Sequence, residues 1–237
     1  MNQIIEQIKT LENLIKADPK NFINYFHLGD VYRKIKKYNF ALKYYQKSIE
    51  LNKRFPEGLN NLANIYKELK NTKNSIIFFK KAIELNPNYI NALYNLAIVY
   101  FEINKYEESG ACFKRVLKID PEHLASLNNF GILLKKIKKY EEALKCFEKV
   151  VNIDNNFLKA YNNIGTISLE LGKIKNAISN YEKVLKLDPN NFISHKNLLA
   201  TYENSNQIEN YQKILKLSEK KFPGEKILEL YKGILFF

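Results

Sequence analysis

Apolar residues recur along the chain at the spacing of a helix that buries one face. The first clear set stands at positions i, i+3, i+7 and i+10, which places its members on one side of a helix with 3.6 residues per turn. That set is Tyr25, Leu28, Tyr32 and Ile35. After a short polar turn, a similar spacing continues in Ala41, Leu42, Tyr45 and Ile49. The pattern predicts a helix, a turn, a second helix and another turn.

This pattern returns with a fixed period of 34 residues. A small or aliphatic column in the first predicted helix holds Gly29, Ala63, Ala97, Gly131, Gly165 and Leu199. A bulky column in the second predicted helix holds Tyr45, Phe79, Phe113, Phe147, Tyr181 and Leu215. A column of small residues in that helix holds Ala41, Ser75, Ser109, Ala143 and Ala177, and ends at Tyr211. Prolines in the same register are Pro19, Pro87, Pro121, Pro189 and Pro223. A fixed period in four columns without an insertion predicts a repeat protein in which each hairpin packs on its neighbours.

The repeat resembles the tetratricopeptide repeat family. The residues that carry this resemblance are YFHLGDVY at 25–32 and LYNLAIVY at 93–100, each followed by a small residue, an aromatic residue and a turn at the family's spacing. The resemblance implies an all-α fold, a right-handed α-solenoid or superhelix whose first helices line a concave face. It also implies a protein-binding scaffold, although the fold serves many unrelated tasks.

The register divides the chain into six complete repeats with partial repeats at both ends. Residues 1–21 match the second half of a repeat, and residues 226–237 match a first helix. The complete repeats span 22–55, 56–89, 90–123, 124–157, 158–191 and 192–225. We therefore expect residues 1–237 to form a single solenoid without a linker or second domain.

Composition narrows the class of protein without deciding its partner. The chain is 46% hydrophobic and 27% charged, which is typical of an ordered, water-soluble protein. No apolar stretch is long enough to span a membrane and no secretory signal precedes the repeats, so we expect a cytoplasmic protein. The formal net charge is +13, and 35 of the 38 basic residues are lysines. This excess fits either lysine-rich codon usage or a basic surface that attracts acidic partners.

The residues that usually carry chemistry do not form a recognisable catalytic or metal site. Cys112 and Cys146 occupy equivalent places in adjacent repeats, too far apart for a disulfide, and we expect reduced thiols. His27, His123 and His195 fall at three different places in three repeats, which favours packing or surface roles. The sequence has no glycine-rich phosphate loop, nucleophile elbow or zinc-binding helix. We therefore predict that the protein is not an enzyme and needs no cofactor or metal.

The members of the small or aliphatic column, Gly29 to Leu199, are called anchors below, and a polar column lies two residues before them. It holds His27, Asn61, Asn95, Asn129, Asn163 and Asn197. A primary amide both donates and accepts hydrogen bonds, so such a row can hold the backbone of an extended peptide. The column is similar to the asparagine ladder in the repeat region of O-linked N-acetylglucosamine transferases. Alternatively, each asparagine bonds the neighbouring hairpin and fixes how the hairpins stack.

Apolar residues beside this column would add affinity for a ligand side chain. Four of them stand at first-helix places that face the groove in the family: Tyr94, Ile98, Phe101 and Ile132. For Phe101, packing against adjacent helices is an equal alternative. The clamp that grips a chaperone's C-terminal carboxylate is not predicted, because its lysine places hold Phe26, Asn60 and Tyr94.

Two other surfaces offer alternative functions. A basic edge at the turns would bind nucleic acid or another acidic partner in a salt-sensitive way, although a lysine-rich rim is commonly only solvated. It consists of Arg33, Lys34, Lys36, Lys37, Lys135, Lys136, Lys138 and Lys139. The C-terminal helix is apolar on more than one side and would support a homodimer or a larger self-assembly. The residues expected to drive this self-association are Ile227, Leu230, Ile234 and Phe237.

Overall fold

The computed structural model describes the backbone of residues 2–234 and the side chains of residues 2–231. It divides into two compact units, residues 1–121 and residues 122–237, which we call the first and second units. Within the described residues every regular element is an α-helix, so the predicted all-α fold is confirmed. The prediction that residues 1–237 form one continuous domain stays a prediction.

Helices follow one another as antiparallel hairpins in both units. The helices of the first unit are α1 (Asn2–Ala17), α2 (Phe22–Lys34), α3 (Tyr38–Leu51), α4 (Pro56–Glu68), α5 (Thr72–Leu85), α6 (Ile90–Glu102) and α7 (Tyr106–Ile119). Those of the second unit are α8 (Leu124–Lys136), α9 (Tyr140–Ile153), α10 (Leu158–Glu170), α11 (Ile174–Leu187), α12 (Phe192–Asn204), α13 (Ile208–Lys221) and α14 (Lys226–Ile234). The even-numbered helices from α2 to α12 begin at intervals of 34 residues and are called first helices; their partners are called second helices. The period predicted from the sequence is therefore confirmed.

The turn inside each hairpin depends on one residue in the left-handed region. That place holds Lys36, Lys70, Asn104, Lys138, Gly172 and Asn206, with φ between 55° and 70°. The next residue's N–H donates to a carbonyl five residues earlier, as from Lys37 to Tyr32 at 2.9 Å. This bond satisfies a carbonyl at the end of the first helix and reverses the chain within three residues. Only Gly172 adopts this conformation without a steric cost.

The predicted columns form the core of each hairpin. Tyr45, Phe79, Phe113 and Phe147 are fully buried, and an ideal Cβ built on Gly165 would lie 2.5 Å from the Tyr181 ring. Glycine is therefore required where a tyrosine ring faces the anchor. The last complete hairpin departs from this arrangement, because it has leucine at both the anchor and the bulky place. Its aromatic residue, buried one helical turn earlier, is Tyr211.

Candidate peptide-binding surface

Asparagines of consecutive first helices are joined by hydrogen bonds in the first unit. The Asn61 Nδ2 donates to the Asp30 carboxylate at 3.1 Å. The Asn60 Nδ2 donates to the Asn61 Oδ1 at 3.1 Å, and the Asn95 Nδ2 donates to the Asn60 Oδ1 at 3.1 Å. This amide chain, formed by Asp30, Asn61, Asn60 and Asn95, connects α2, α4 and α6. Two members of the predicted ladder therefore help to fix the stacking of their hairpins.

The amide chain is anchored at Asp30. Its Oδ1 accepts the Tyr45 hydroxyl at 2.6 Å, and the Arg33 Nε lies 3.6 Å from the same oxygen. Burial, followed by the hydrogen bond to Asp30, raises the pKa of Tyr45, so the hydroxyl keeps its proton and acts as the donor. The chain consequently begins with a hydrogen bond to a charged group, which is stronger than one between neutral groups.

The ladder residues keep hydrogen-bonding capacity beyond the amide chain. A primary amide has two donor hydrogens and two acceptor lone pairs. Asn61 uses one of each for Asn60 and Asp30, whereas Asn95 uses a single donor hydrogen. Both side chains are half-buried, while Asn60 beneath them is buried. The two interpretations of the ladder are therefore compatible, since one amide can bond its neighbour and still face solvent.

Apolar residues accompany the ladder on α6. Tyr94, Ile98 and Phe101 are all half-buried, so each has one side packed and another accessible. The Tyr94 ring lies edge-on to Phe113, with 6.2 Å between centroids, and the Phe101 ring lies 5.8 Å from Tyr106. These contacts hold the two rings against the second helix of their own hairpin. The accessible sides form an apolar surface next to Asn95.

In the second unit, the ladder asparagines have different partners. The Asn129 Oδ1 accepts the neighbouring Asn128 Nδ2 at 3.4 Å. The Asn163 Oδ1 accepts the Lys135 ammonium at 2.5 Å, and burial lowers the pKa of Lys135. Asn197 is half-buried, as is Ile132. The structure therefore joins one residue of the predicted basic edge, Lys135, to one residue of the predicted ladder.

The other residues of the basic edge lie in and beside the hairpin turns. Arg33, Lys34 and Lys136 belong to the last turns of first helices, and Arg33 faces Asp30. The remaining members, all exposed, are Lys36, Lys37, Lys138 and Lys139. The Lys139 ammonium lies 3.4 Å from the Glu142 carboxylate. Positive charge along this edge is thus partly compensated in each unit.

The C-terminal helix α14 packs on the hairpin before it. Leu228 is buried, and Ile227 packs against the same cluster, which includes Tyr211 and Leu215. The Tyr211 hydroxyl donates to the backbone carbonyl of Tyr231 at 2.6 Å, whereas Leu230 is 70% exposed. The helix ends at Ile234, whose side chain lies outside the described residues, as does the whole of Phe237. Of the predicted self-association residues, Leu230 offers an exposed apolar side chain.

The two cysteines and one histidine, His195, are buried. Burial raises the pKa of Cys112 and raises that of Cys146 to about 11, so both free thiols stay protonated near neutral pH. His195 is buried, with Nε2 3.1 Å from the Pro189 carbonyl and Nδ1 2.8 Å from the Ser218 hydroxyl. Burial lowers the pKa of His195, despite the opposing effect of the Pro189 carbonyl. Within the described residues, no three metal-ligating side chains converge.

Comparison with known proteins identifies the repeat. A tetratricopeptide repeat model matches residues 25–55, 56–89 and 158–191, and a second model of the same description matches residues 88–156. The chain belongs to the tetratricopeptide repeat family. Proteins of this family are generally protein-interaction scaffolds, and their fold is typically non-catalytic. The comparison with curated proteins found no match.

Solved structures of other tetratricopeptide repeat proteins share the fold. Pseudomonas aeruginosa pilF is 16% identical with a TM-score of 0.72, over 90% of this chain and 96% of that one. A tetratricopeptide repeat protein from Parabacteroides merdae is 18% identical with a TM-score of 0.68, over 100% and 93%. YrrB, described as having an unusual peptide-binding site, is 18% identical with a TM-score of 0.67, over 78% and 95%. At these identities the likeness establishes the fold alone.

Among the described residues, no helix is both long and apolar enough to cross a membrane.

The residues that connect the ladder were not predicted from the sequence. Asp30 and Asn60 are essential links of the amide chain, and Asn162 accepts the Ser194 hydroxyl at 2.9 Å in the second unit. Asn60, Asn128 and Asn162 stand one residue before the ladder at the tetratricopeptide period. That second asparagine column could have been recognised from the sequence. The role of Asp30 could not, because it depends on where Tyr45 lies in the structure.

Proposed function

We propose that this chain is a protein-interaction scaffold that holds an extended peptide or a partner helix against its first helices. The observation that supports this proposal is the combination of Asn61 and Asn95 with the half-buried apolar residues of α6. Each of the two amides keeps a donor and an acceptor at a half-buried place. Such a pair can bond the backbone of a peptide without selecting its side chains.

The apolar residues must supply most of the affinity. A net hydrogen bond contributes about 1 kcal/mol, so two amides alone would bind a peptide more weakly than a millimolar dissociation constant. Covering about 100 Å² of apolar surface adds about 2.5 kcal/mol. Tyr94, Ile98 and Phe101 can offer such surface, and Ile132 offers it in the second unit. We therefore expect peptides that combine an extended backbone with an apolar side chain. YrrB, which has a peptide-binding site on the same fold, supports this expectation.

Peptide selection with matched variants tests the proposal. Peptides selected from a random library on the wild-type protein would be titrated against Ile98→Glu and against Ile77→Glu, whose side chain is 38% exposed on the second helix α5. We expect Ile98→Glu to weaken binding at least about tenfold, because a buried charge opposes apolar contact, and Ile77→Glu to leave it unchanged. Equal binding to both variants would place the peptide site away from the first helices.

Self-association through α14 is a second candidate function. It is favoured by Leu230, which is 70% exposed on a helix whose opposite side packs against the core. Light scattering over a range of concentrations tests it. A mass that rises with concentration in the wild type, and stays that of a monomer in Leu230→Glu, would support a homodimer; a constant monomer mass would exclude it.

Nucleic-acid binding through the basic edge is an alternative function, which capture of partners from host lysate tests. If the captured partners are lost on nuclease treatment and in Lys138→Glu, the edge binds nucleic acid. A cytoplasmic location also stays a prediction, which cell fractionation tests.

A further inference from the structure

The second helices of the second unit form a groove that the proposed function does not use. It lies between α11 and α13, above α12, and has a volume of about 660 Å³. Its floor is apolar, because Leu185, Leu198, Ile214 and Leu217 line it. Leu217 is 43% exposed, so apolar surface is accessible from solvent within the groove. We call this the α11–α13 groove.

Four lysines surround this apolar floor. The lysines that line the groove are all exposed: Lys186, Lys213, Lys216 and Lys220. In the part of the chain that the structure describes, none of them lies within ion-pair distance of a carboxylate. The single acid of the lining, Glu182, accepts the Tyr202 hydroxyl at 3.1 Å. The lining therefore carries four positive charges and one negative charge.

The positive charges follow the direction of α13. Lys213, Lys216 and Lys220 stand at i, i+3 and i+7, which places them along one side of the helix over about 10 Å. Leu217 and Ile214 lie beside this row on the groove side. A row of cations next to an apolar stripe complements an amphipathic helix whose apolar side is flanked by acids.

The first unit contains the equivalent groove with a different charge pattern. It lies between α3 and α5, has a volume of about 560 Å³, and is lined by Leu59, Leu62 and Phe78 among others. Its charged lining residues are Glu50, Lys53, Lys81 and Glu84, which sum to zero. Glu50 is paired with Lys47 at 3.1 Å, and the Lys81 ammonium lies 5.1 Å from the Phe78 ring centroid. An apolar floor is thus shared by the two grooves, whereas the uncompensated positive rim belongs to the α11–α13 groove.

We propose that the α11–α13 groove binds an acidic amphipathic helix of a partner protein. Leucine-like side chains of that helix cover Leu217 and Leu185, and its carboxylates pair with Lys213, Lys216 and Lys220. Nucleic acid fits this lining less well, because its phosphates gain nothing from a leucine floor and the groove has no exposed aromatic ring on which a base can stack. The groove is separate from the first-helix surface, so the two sites can be tested independently.

A synthetic peptide tests the proposed occupant. The probe is an amphipathic helix of about 14 residues, or four turns, with leucines on one side and glutamates flanking them. A peptide of the same composition with scrambled order is the control probe. Fluorescence anisotropy measures the affinity of each for the protein, and we expect the amphipathic probe to bind at least about tenfold more tightly, because only it presents apolar surface and charge together.

Matched charge reversals locate the site. Lys216→Glu with Lys220→Glu changes the net charge by −4 on α13, and Lys80→Glu with Lys81→Glu makes the same change on α5. We expect the first pair to weaken binding of the amphipathic probe about tenfold or more and the second by less than about twofold. Leu217→Ala should weaken it about fivefold, whereas Leu85→Ala, at a leucine 40% exposed in the other groove, should not. Circular dichroism confirms that each variant keeps its helix content.

Five outcomes would overturn the proposal. Equal affinity for the scrambled probe, or equal loss with the α5 reversals, would show general attraction to a basic protein. A single-stranded oligonucleotide that displaces the probe, depending on Lys216 but not on Leu217, would assign the groove to nucleic acid. Loss of binding with Ile98→Glu and not with the α13 reversals would move the probe to the first-helix surface. Intact binding in both Lys216→Glu with Lys220→Glu and Leu217→Ala would exclude the groove.

Discussion

Replacing Asn60 by alanine should interrupt the amide chain of the first unit at its buried link. Asn60 is 5% exposed and makes two side-chain hydrogen bonds, to Asn61 and from Asn95, each at 3.1 Å. Each neutral bond contributes about 1 kcal/mol net, so the variant should lose about 2 kcal/mol of unfolding free energy. The half-buried partners can recover hydrogen bonds with water, which keeps the loss from rising much further.

Urea denaturation followed by circular dichroism measures this loss, and a double-mutant cycle isolates one bond. Asn60→Ala, Asn95→Ala and the double variant should give a coupling free energy of about 1 kcal/mol. Asn64→Ala is the matched control, because Asn64 is half-buried on the same helix and no side-chain hydrogen bond links it to another described residue. It should change stability by less than about 0.5 kcal/mol. A coupling free energy indistinguishable from zero would refute the idea that the ladder fixes the stacking of hairpins.

Three further perturbations test other parts of the structure. Tyr45→Phe removes the 2.6 Å bond to Asp30 and should cost about 2 kcal/mol, as is typical of a bond to a charged group; a neutral effect on the urea midpoint would argue against that bond. Lys138→Gly should stabilise the protein and Gly172→Ala should destabilise it, each by about 1 kcal/mol, because both places have positive φ; calorimetry should show shifts of opposite sign. The lowered pKa of His195 means that the unfolded state binds its proton more readily, so stability should fall as pH drops below about 6.5; urea midpoints between pH 8 and 5 should fall less steeply in His195→Gln.

The repeat pattern predicted the fold in detail because each column reports one packing requirement. The anchors and the bulky residues had to face each other, and Gly165 and Tyr181 do so at close range. The left-handed turn residues were harder to predict, since that place holds lysine or asparagine in five hairpins and glycine in one. Propensity alone would not select Lys36 or Lys138 for positive φ, and the tertiary packing of the two helices overrides it.

The candidate site was only partly predictable, because its links depend on distances between different hairpins. The ladder column was visible at the 34-residue period, but its bonding depended on Asn60 and Asp30. Lys135 was assigned to the turn edge by its neighbours in sequence, whereas its ammonium reaches Asn163. The α3–α5 and α11–α13 grooves differ in charge through residues that come from two helices in each groove. No single column of the repeat therefore predicted this difference.

The last complete hairpin has leucine, Leu215, in the bulky column and tyrosine, Tyr211, in the column of small residues. This difference limits how the repeats can be rearranged. In the other complete hairpins, a glycine or alanine anchor faces an aromatic ring four residues after a small residue, so those hairpins are candidates for duplication or swapping as modules. The last one has its ring at Tyr211, where it also donates to the Tyr231 carbonyl of α14. Its interior is therefore matched to the helix that follows it, α14. Recombination that placed this hairpin before a different first helix would need several compensating substitutions at once, so the hairpin and α14 should be inherited together.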